Sequence, residues 1–384
     1  MPVKAVSKDS SRELLANAKR IVVKVGSSTL TRNGALRPRK FGDLARQISG
    51  LMQEGREVIL VSSGAIAIGS SKLKWDAPGH SIPEMQAAAA VGQIGLVELY
   101  QRRFADHGRL IGQMLLTRSG LENRERFLNA RQTLHELLRL GVVPVVNEND
   151  TIATDEIRFG DNDNLSANIV SLAAADALVI LTDVDGLYVE PPTQGKRKPR
   201  LFDSIEKITP EIESAAQGSG SAFGRGGMIT KLEAATTASH TGATTVLCNG
   251  ATPNIVSRVL AGERLGTMFL PTEERMESRK HWLAFTTRTR GTVTLDEGAS
   301  KALKHHGRSL LPAGVQSVAG SFKRGDSIAC VDPMGQEFAR GLSAYDSDEV
   351  ERIKGLPTQE IERVLGYSNG DELIHRDNLV LMSS

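Results

Sequence analysis

The densest chemistry in this 384-residue chain lies between Val143 and Ala167, VPVVNENDTIATDEIRFGDNDNLSA, where a short apolar run empties into amides and carboxylates. Val143, Val145 and Val146 around Pro144 read as a buried strand. Asn147, Glu148, Asn149, Asp150, Asp155, Glu156, Asp161, Asn162, Asp163 and Asn164 then follow with few interruptions. Ligands of open α/β sheets bind just past the carboxyl ends of strands, so this density of hydrogen-bonding groups marks a candidate substrate site. An acidic surface loop with Asx turns, capping a helix that starts near Leu165, would use the same residues. Three glycine-rich turns supply small residues and positive charge. Lys24 stands in the apolar run Ile21–Val25 just before Gly26-Ser27-Ser28, and Ser62-Ser63-Gly64-Ala65 follows another such run. Gly224-Arg225-Gly226-Gly227-Met228-Ile229-Thr230-Lys231 opens a helical pattern from Leu232 to Ser239. Glycine lets backbone N–H groups approach an anion, a helix N-terminus favours negative charge, and a lysine one turn in adds a point charge. Phosphate handling suits all three turns, although plain strand-to-helix turns with solvated lysines would also employ them.

Several other chemistries lack their residues. No G-x-x-x-x-G-K-[ST] occurs, which excludes a Walker-type nucleotide loop. His375-Arg376-Asp377 has the letters of a protein-kinase catalytic loop, but no Asp-Phe-Gly follows it. The eight histidines form no H-x-x-x-H or Cys/His cluster, so no residue is assigned to a metal. A net charge of +2 gives no strong field for nucleic acid or membrane. Met1 to Arg20 has no apolar core of a signal peptide, and no apolar stretch approaches the ~18 residues of a membrane span. Cys248 and Cys330 lie far apart within apolar runs, as reduced core thiols do, and the expected location is the cytoplasm.

The elements that must position these residues alternate in type. Strand-like runs at Ile21–Val25, Glu57–Val61, Arg109–Leu116, Val142–Val146, Ala177–Thr182 and Thr245–Cys248 are separated by helical patterns at Phe41–Met52, Glu84–Phe104 and Arg124–Leu140. Strands joined through helices of this length need crossovers, so a mostly parallel sheet covered on both faces is expected, a three-layer αβα sandwich. Composition shifts near residue 270, and short strand patterns follow at Gly291–Leu295, Val315–Val318, Ser327–Val331 and Phe338–Leu342. The expected division is an N-terminal extension (1–18), the sandwich (19–270), a linker (271–289), a small β-rich domain (290–370) and a C-terminal tail (371–384).

A set of motifs in fixed order sharpens this picture. Lys24-Val25-Gly26-Ser27-Ser28, Ser62-Ser63-Gly64-Ala65-Ile66-Ala67, Gly92-Gln93, Gln113-Met114-Leu115-Leu116-Thr117 and Arg124-Glu125-Arg126-Phe127-Leu128-Asn129-Ala130 come first. Asn147-Glu148-Asn149-Asp150, Gly160-Asp161-Asn162-Asp163-Asn164, Leu181-Thr182-Asp183 and Gly226-Gly227-Met228-Ile229-Thr230-Lys231 follow. Together they closely resemble the glutamate 5-kinase family of the amino acid kinase superfamily, and the β-rich part resembles the PUA domain that many bacterial members carry. The resemblance implies transfer of a phosphoryl group from ATP, with Mg²⁺, to the side-chain carboxylate of L-glutamate, a first step toward proline. It implies catalytic roles for Lys24, Lys231 and Asp163, with the carboxylate organising the lysines, and glutamate contacts from Ser63, Asp150 and Asn162. ATP contacts are implied for Lys24, Thr182, Asp183, Arg225, Gly226, Gly227, Met228, Ile229, Thr230 and Lys231. Arg225 departs from the small residue that often precedes Gly-Gly-Met. The resemblance further implies feedback inhibition by proline, a homo-oligomer (dimer or tetramer) and a downstream glutamyl phosphate reductase. The segment from Asn149 to Gly160 is the expected element that adjusts to either glutamate or proline. Two alternatives remain, a related kinase acting on acetylglutamate or aspartate and an RNA-binding protein working through the PUA-like part. Aromatic residues make up only 4% of the chain, which supplies few stacking platforms for RNA.

Overall fold

Runs of β-branched and aliphatic residues that would expose apolar surface on either side build the central sheet of the first unit. A computed structural model describes residues 10–32, 35–75, 79, 81–153, 162–190, 200–217, 227–271 and 289–382, and the chain divides into two units, Met1–Arg275 and Met276–Ser384. In the first unit β1 (Arg20–Val25), β4 (Glu57–Ser62), β5 (Ile111–Leu116), β6 (Val143–Glu148), β7 (Ala177–Thr182) and β9 (Thr244–Asn249) are parallel. A hairpin of β2 (Thr31–Arg32) and β3 (Ala35–Leu36) stands apart, and β8 (Ser204–Ile205) and β10 (Thr267–Phe269) complete an eight-stranded sheet in the order β5-β6-β4-β1-β7-β9-β10-β8. β10 runs antiparallel to β9. These two strands and the hairpin are too short to produce a readable alternation, so the sequence patterns do not reveal them.

β1 is central, paired with β4 on one side and β7 on the other. The chain leaves β1 toward β4, and after β6 it returns to β7 across the sheet, so the loops at the carboxyl ends diverge beside β1. Such a point is where open α/β sheets take ligands. Ile21, Val23 and Val25 pack into one core with Phe41, Ile48, Leu96 and Tyr100, which belong to the helices Pro38–Gln53 and Ile82–Ala105. Val22 points into the opposite core with Leu134, Ile169 and Ala235, from the helices Arg124–Arg139, Asn162–Ala173 and Met228–His240. Side chains alternate along a strand, so Lys24 shares the face of Val22 and lies under those last helices. Burial of each core aliphatic contributes roughly 1.5–3 kcal/mol, and that packing holds a charged lysine where it would not settle alone.

The helix expected near Leu165 starts at Asn162. Asn162 and Asp163 therefore belong to its first turn, where the helix dipole favours a carboxylate.

In the second unit β11 (Gly291–Leu295), β12 (Val315–Gly320), β13 (Ser327–Val331), β14 (Glu337–Leu342) and β15 (Leu379–Leu381) form a five-stranded sheet in the order β12-β11-β13-β14-β15. β11 and β13 are parallel and the other pairs antiparallel. Val293, Leu295, Ile328, Tyr345 and Ile353 form its core. β15 lies within the segment 371–384 and pairs with β14. Both cysteines are free and buried, and burial pushes each thiol up to about 12.

Candidate active site

Lys24 reaches the carboxyl end of the sheet from β1, and Asp163 meets it from the first turn of the helix Asn162–Ala173. Lys24 Nζ forms an ion pair with Asp163 Oδ1 at 2.6 Å. The other oxygen, Oδ2, accepts from Lys231 Nζ at 3.2 Å and from Thr230 Oγ at 2.8 Å. Lys231 and Thr230 sit in the first turn of the helix Met228–His240, capped by Gly227, whose carbonyl accepts from Lys231 Nζ at 3.3 Å. All three charged groups are buried, with Asp163 only 1% exposed. Burial pushes the Asp163 carboxyl upward, but the charges of Lys24 and Lys231 and the Thr230 hydrogen bond outweigh it and hold the pKa at about 2. Burial lowers the pKa of Lys231 from the ordinary lysine value, Asp163 opposing that effect and Lys24 adding to it. Two ammonium groups and one carboxylate leave net positive charge beside the switch point, which suits an anionic group in transit. A Cβ on Gly26 would lie 3.5 Å from Lys24 Nζ, in the space an anion needs to approach it.

On the β4 and β6 side a chain of amides and hydroxyls lies alongside the carboxylates Glu148 and Asp150. Ser63 leaves β4 with its N–H donating to Val25 O at 3.0 Å, and Asn162 Nδ2 donates to Ser63 Oγ at 2.9 Å. The same Nδ2 donates to Asn147 Oδ1 at 3.1 Å, and Asn147 Nδ2 donates to Gln93 Oε1 at 2.8 Å. Asn162 Oδ1 and Gln93 Nε2 are buried and have no hydrogen-bond partner among the described residues. Beneath them, the buried Tyr100 hydroxyl shares a 2.9 Å hydrogen bond with Ser62 Oγ, which donates to Ser63 O at 3.0 Å. Gly64, at φ +115, begins the helix Ala65–Lys72 in a conformation open to glycine. A Cβ on Gly92 would fall 1.8 Å from Ala65 O, so the two helices touch backbone to backbone there. That contact delivers Gln93 to Asn147.

The structure thus brings Lys24, Asp163, Lys231 and Thr230 together, and separately joins Ser63 with Asn162. Thr182 is buried at the end of β7 and donates to Asp183 Oδ1 at 3.0 Å, and the Asp183 charge also acts on Lys231. Asp150 is half-buried in the turn after β6, while Met228 and Ile229 open the helix with Ile229 exposed. Asp155, Glu156, Gly160, Asp161, Arg225 and Gly226 lie outside the described residues, as does most of the segment from Asn149 to Gly160. Asn147 heads the candidate substrate stretch and Gln93 belongs to one of the motifs, but neither is assigned a contact from the sequence. Their signal was the Gly92-Gln93 pair and the first amide after the β6 valines. Gly366-Tyr367-Ser368-Asn369-Gly370 has the spacing of a hydrolase nucleophile elbow, but it follows a helix, and Ser368 Oγ donates to Gly370 O at 3.1 Å. Among the described residues no group of three or more His, Cys, Asp or Glu could hold a metal, and no helix is long and apolar enough to cross a membrane.

Residues 19–249 match the amino acid kinase family, and residues 291–365 match the PUA domain. A glutamate 5-kinase of Burkholderia multivorans is 50% identical over 372 residues, covering 97% of this chain and 100% of that protein. One from Syntrophotalea carbinolica is 50% identical over 370 residues, covering 96% and 99%. Among solved structures, an isopentenyl phosphate kinase aligns with a TM-score of 0.45 at 16% identity, covering 65% of this chain and 99% of that one.

Proposed function

The chain belongs to the amino acid kinase family, and we propose that it phosphorylates the side-chain carboxylate of L-glutamate with ATP, giving L-glutamyl 5-phosphate. The observation that carries this reading is Asp163 held between Lys24 and Lys231 at 2.6 and 3.2 Å. An oxygen of the glutamate carboxylate forms a bond to the γ-phosphorus as the bond to the ADP oxygen breaks. The attacking carboxylate is already ionised at neutral pH, so no general base is required. Catalysis is alignment plus positive charge on a loose, highly anionic transition state. Lys24 faces the phosphoryl group in transfer, Lys231 the nucleotide phosphates, and Asp163 fixes both ammonium groups without reacting. Thr182, Asp183, Gly227, Met228, Ile229 and Thr230 contact ATP, and the family resemblance gives Arg225 and Gly226 the same role. Ser63, Asp150 and Asn162 hold glutamate, Asp150 serving the α-ammonium. Mg²⁺ would come with ATP, held by its phosphate oxygens, and would neutralise their charge.

The reaction takes place in the cytoplasm, in a dimer or tetramer, as the first step toward proline, and supplies a glutamyl phosphate reductase. RNA binding, if present, belongs to the PUA domain. Proline keeps the α-carboxylate and a positive nitrogen but has no side-chain carboxylate to phosphorylate. It therefore binds over the glutamate site, Asp150 included, and excludes the substrate. Initial rates over a grid of both amino acids should show an apparent inhibition constant rising linearly with glutamate, whereas a constant value would place proline elsewhere. The reaction itself is tested with ATP, Mg²⁺, hydroxylamine and each candidate acid, since hydroxylamine traps an acyl phosphate as its hydroxamate. A signal from acetylglutamate or aspartate and none from glutamate would refute the assignment.

A further inference from the structure

We propose that Gln93 is a positioning residue that dictates which atom of Asn162 meets the amino-acid substrate. This inference rests on the reading of the site as that of an amino-acid kinase. A primary amide carries an acceptor at one end and donors at the other, and its neighbours decide which end faces which way. Gln93 Oε1 accepts from Asn147 Nδ2 at 2.8 Å, so Asn147 must turn its Oδ1 the opposite way. That oxygen accepts from Asn162 Nδ2 at 3.1 Å, and the second hydrogen of this Nδ2 goes to Ser63 Oγ at 2.9 Å. Both Asn162 donors are then engaged, which leaves Oδ1 buried and without a hydrogen-bond partner among the described residues. An acceptor in that state selects a donor such as a substrate ammonium. Ser63 and Asn162 belong to the expected substrate contacts, whereas Gln93 is one amide removed and acts through Asn147.

The backbone that carries Gln93 is held against a second helix, and its amide is tied to the relay through Oε1. Gly92 abuts the backbone of the helix Ala65–Lys72 so closely that a Cβ would meet Ala65 O at 1.8 Å, leaving this stretch of the helix Ile82–Ala105 no room to shift. Without the Oε1 acceptor, Asn147 can turn over and present Nδ2 to the Asn162 amide. Donor would then face donor, and Asn162 would turn as well, offering N–H where the substrate needs oxygen.

Steady-state kinetics of the full-length protein test this with Gln93→Leu, Gln93→Glu and Asn147→Ala. Gln93→Leu should raise the KM for glutamate roughly tenfold or more while moving the KM for ATP by less than about twofold. Gln93→Glu keeps an accepting oxygen toward Asn147 and should restore the glutamate KM to within about threefold of wild type. In the Asn147→Ala background, Gln93→Leu should add nothing, because its route to the substrate has already been removed. A glutamate KM unchanged by Gln93→Leu, a Gln93→Glu variant as impaired as Gln93→Leu, or additive effects in the double variant would each overturn the proposal. If Gln93→Leu does not fold, Gln93→Met, similar in volume and without an acceptor oxygen, carries the same expectations. Should the wild-type protein form its hydroxamate with a different acid, the substrate reading falls, and the same variants are judged on the KM of that acid.

Discussion

Asp163 is the residue on which both lysines depend, and its titration gives a signature that a surface carboxylate would lack. Its pKa in the fold, about 2, lies below the roughly 3.9 of an unfolded aspartate, so folding favours the ionised form. The corresponding stability is fully present above about pH 4 and fades as the pH falls toward 2, an effect of about 2 kcal/mol. Asp163→Asn should leave two buried ammonium groups without their counter-charge, lowering kcat by roughly 10² or more and stability by about 3 kcal/mol at neutral pH. Denaturation midpoints of the wild-type and Asp163→Asn proteins should converge as the pH falls from about 4 to about 2, because the unfolded carboxyl takes up its proton over that range while the native one does so only near pH 2. A constant gap would mean that the substitution acts through shape and not through charge. Lys24→Ala and Lys231→Ala should each reduce kcat by roughly 10² to 10³, the usual loss when one preorganised transition-state stabiliser is removed. A loss below about tenfold in both would remove the lysines from phosphoryl transfer.

At the scale of elements, the two helices beside the amide relay depend on glycine for a definite steric reason, which a pair of substitutions can separate from general glycine effects. Gly92→Ala places a Cβ 1.8 Å from a backbone oxygen that belongs to another helix, so one helix must move. Destabilisation of roughly 1–3 kcal/mol or more and weaker glutamate binding are expected. Gly50, inside the helix Pro38–Gln53, has nothing within 4 Å of where its Cβ would stand. Gly50→Ala should therefore stabilise by about 0.5–1 kcal/mol with kinetics unchanged, as read from urea midpoints and KM. In the sequence Gly92-Gln93 is only a pair inside a long helical pattern, because backbone contact between helices leaves no trace in periodicity. Much of the rest was legible. The apolar runs at β1, β4, β6 and β7 and the turns after them put Lys24, Ser63 and Asn162 near strand exits. The face of Lys24 was not readable, since IVVKV is buried on both sides and shows no polar alternation. Nor does spacing tell that Asp163 sits between Lys24 and Lys231, whose meeting depends on the order of strands about β1.

On the scale of the whole molecule, each unit has a core of its own. Among the described residues, the two cores on either side of the eight-stranded sheet draw on residues up to Leu270, whereas the core around Val293, Ile328 and Tyr345 draws on residues of the second unit. Every side chain assigned to phosphoryl transfer or substrate contact precedes residue 270. β10, which lies between β9 and the edge strand β8, ends at Phe269, which is buried in the first unit. A chain ended after Leu270 keeps that strand and should fold, since removing the rest takes no member from either core. Its hydroxamate signal with glutamate should persist, with the KM for ATP within about threefold of the full-length value, because no assigned ATP contact has been deleted. Circular dichroism and a cooperative thermal transition establish that the shortened chain is folded. A folded but inactive product would show that the PUA domain completes the active site, directly or by holding the protein in its working assembly. Comparing its sedimentation with that of the full-length protein separates those two causes, since only the second predicts a smaller particle.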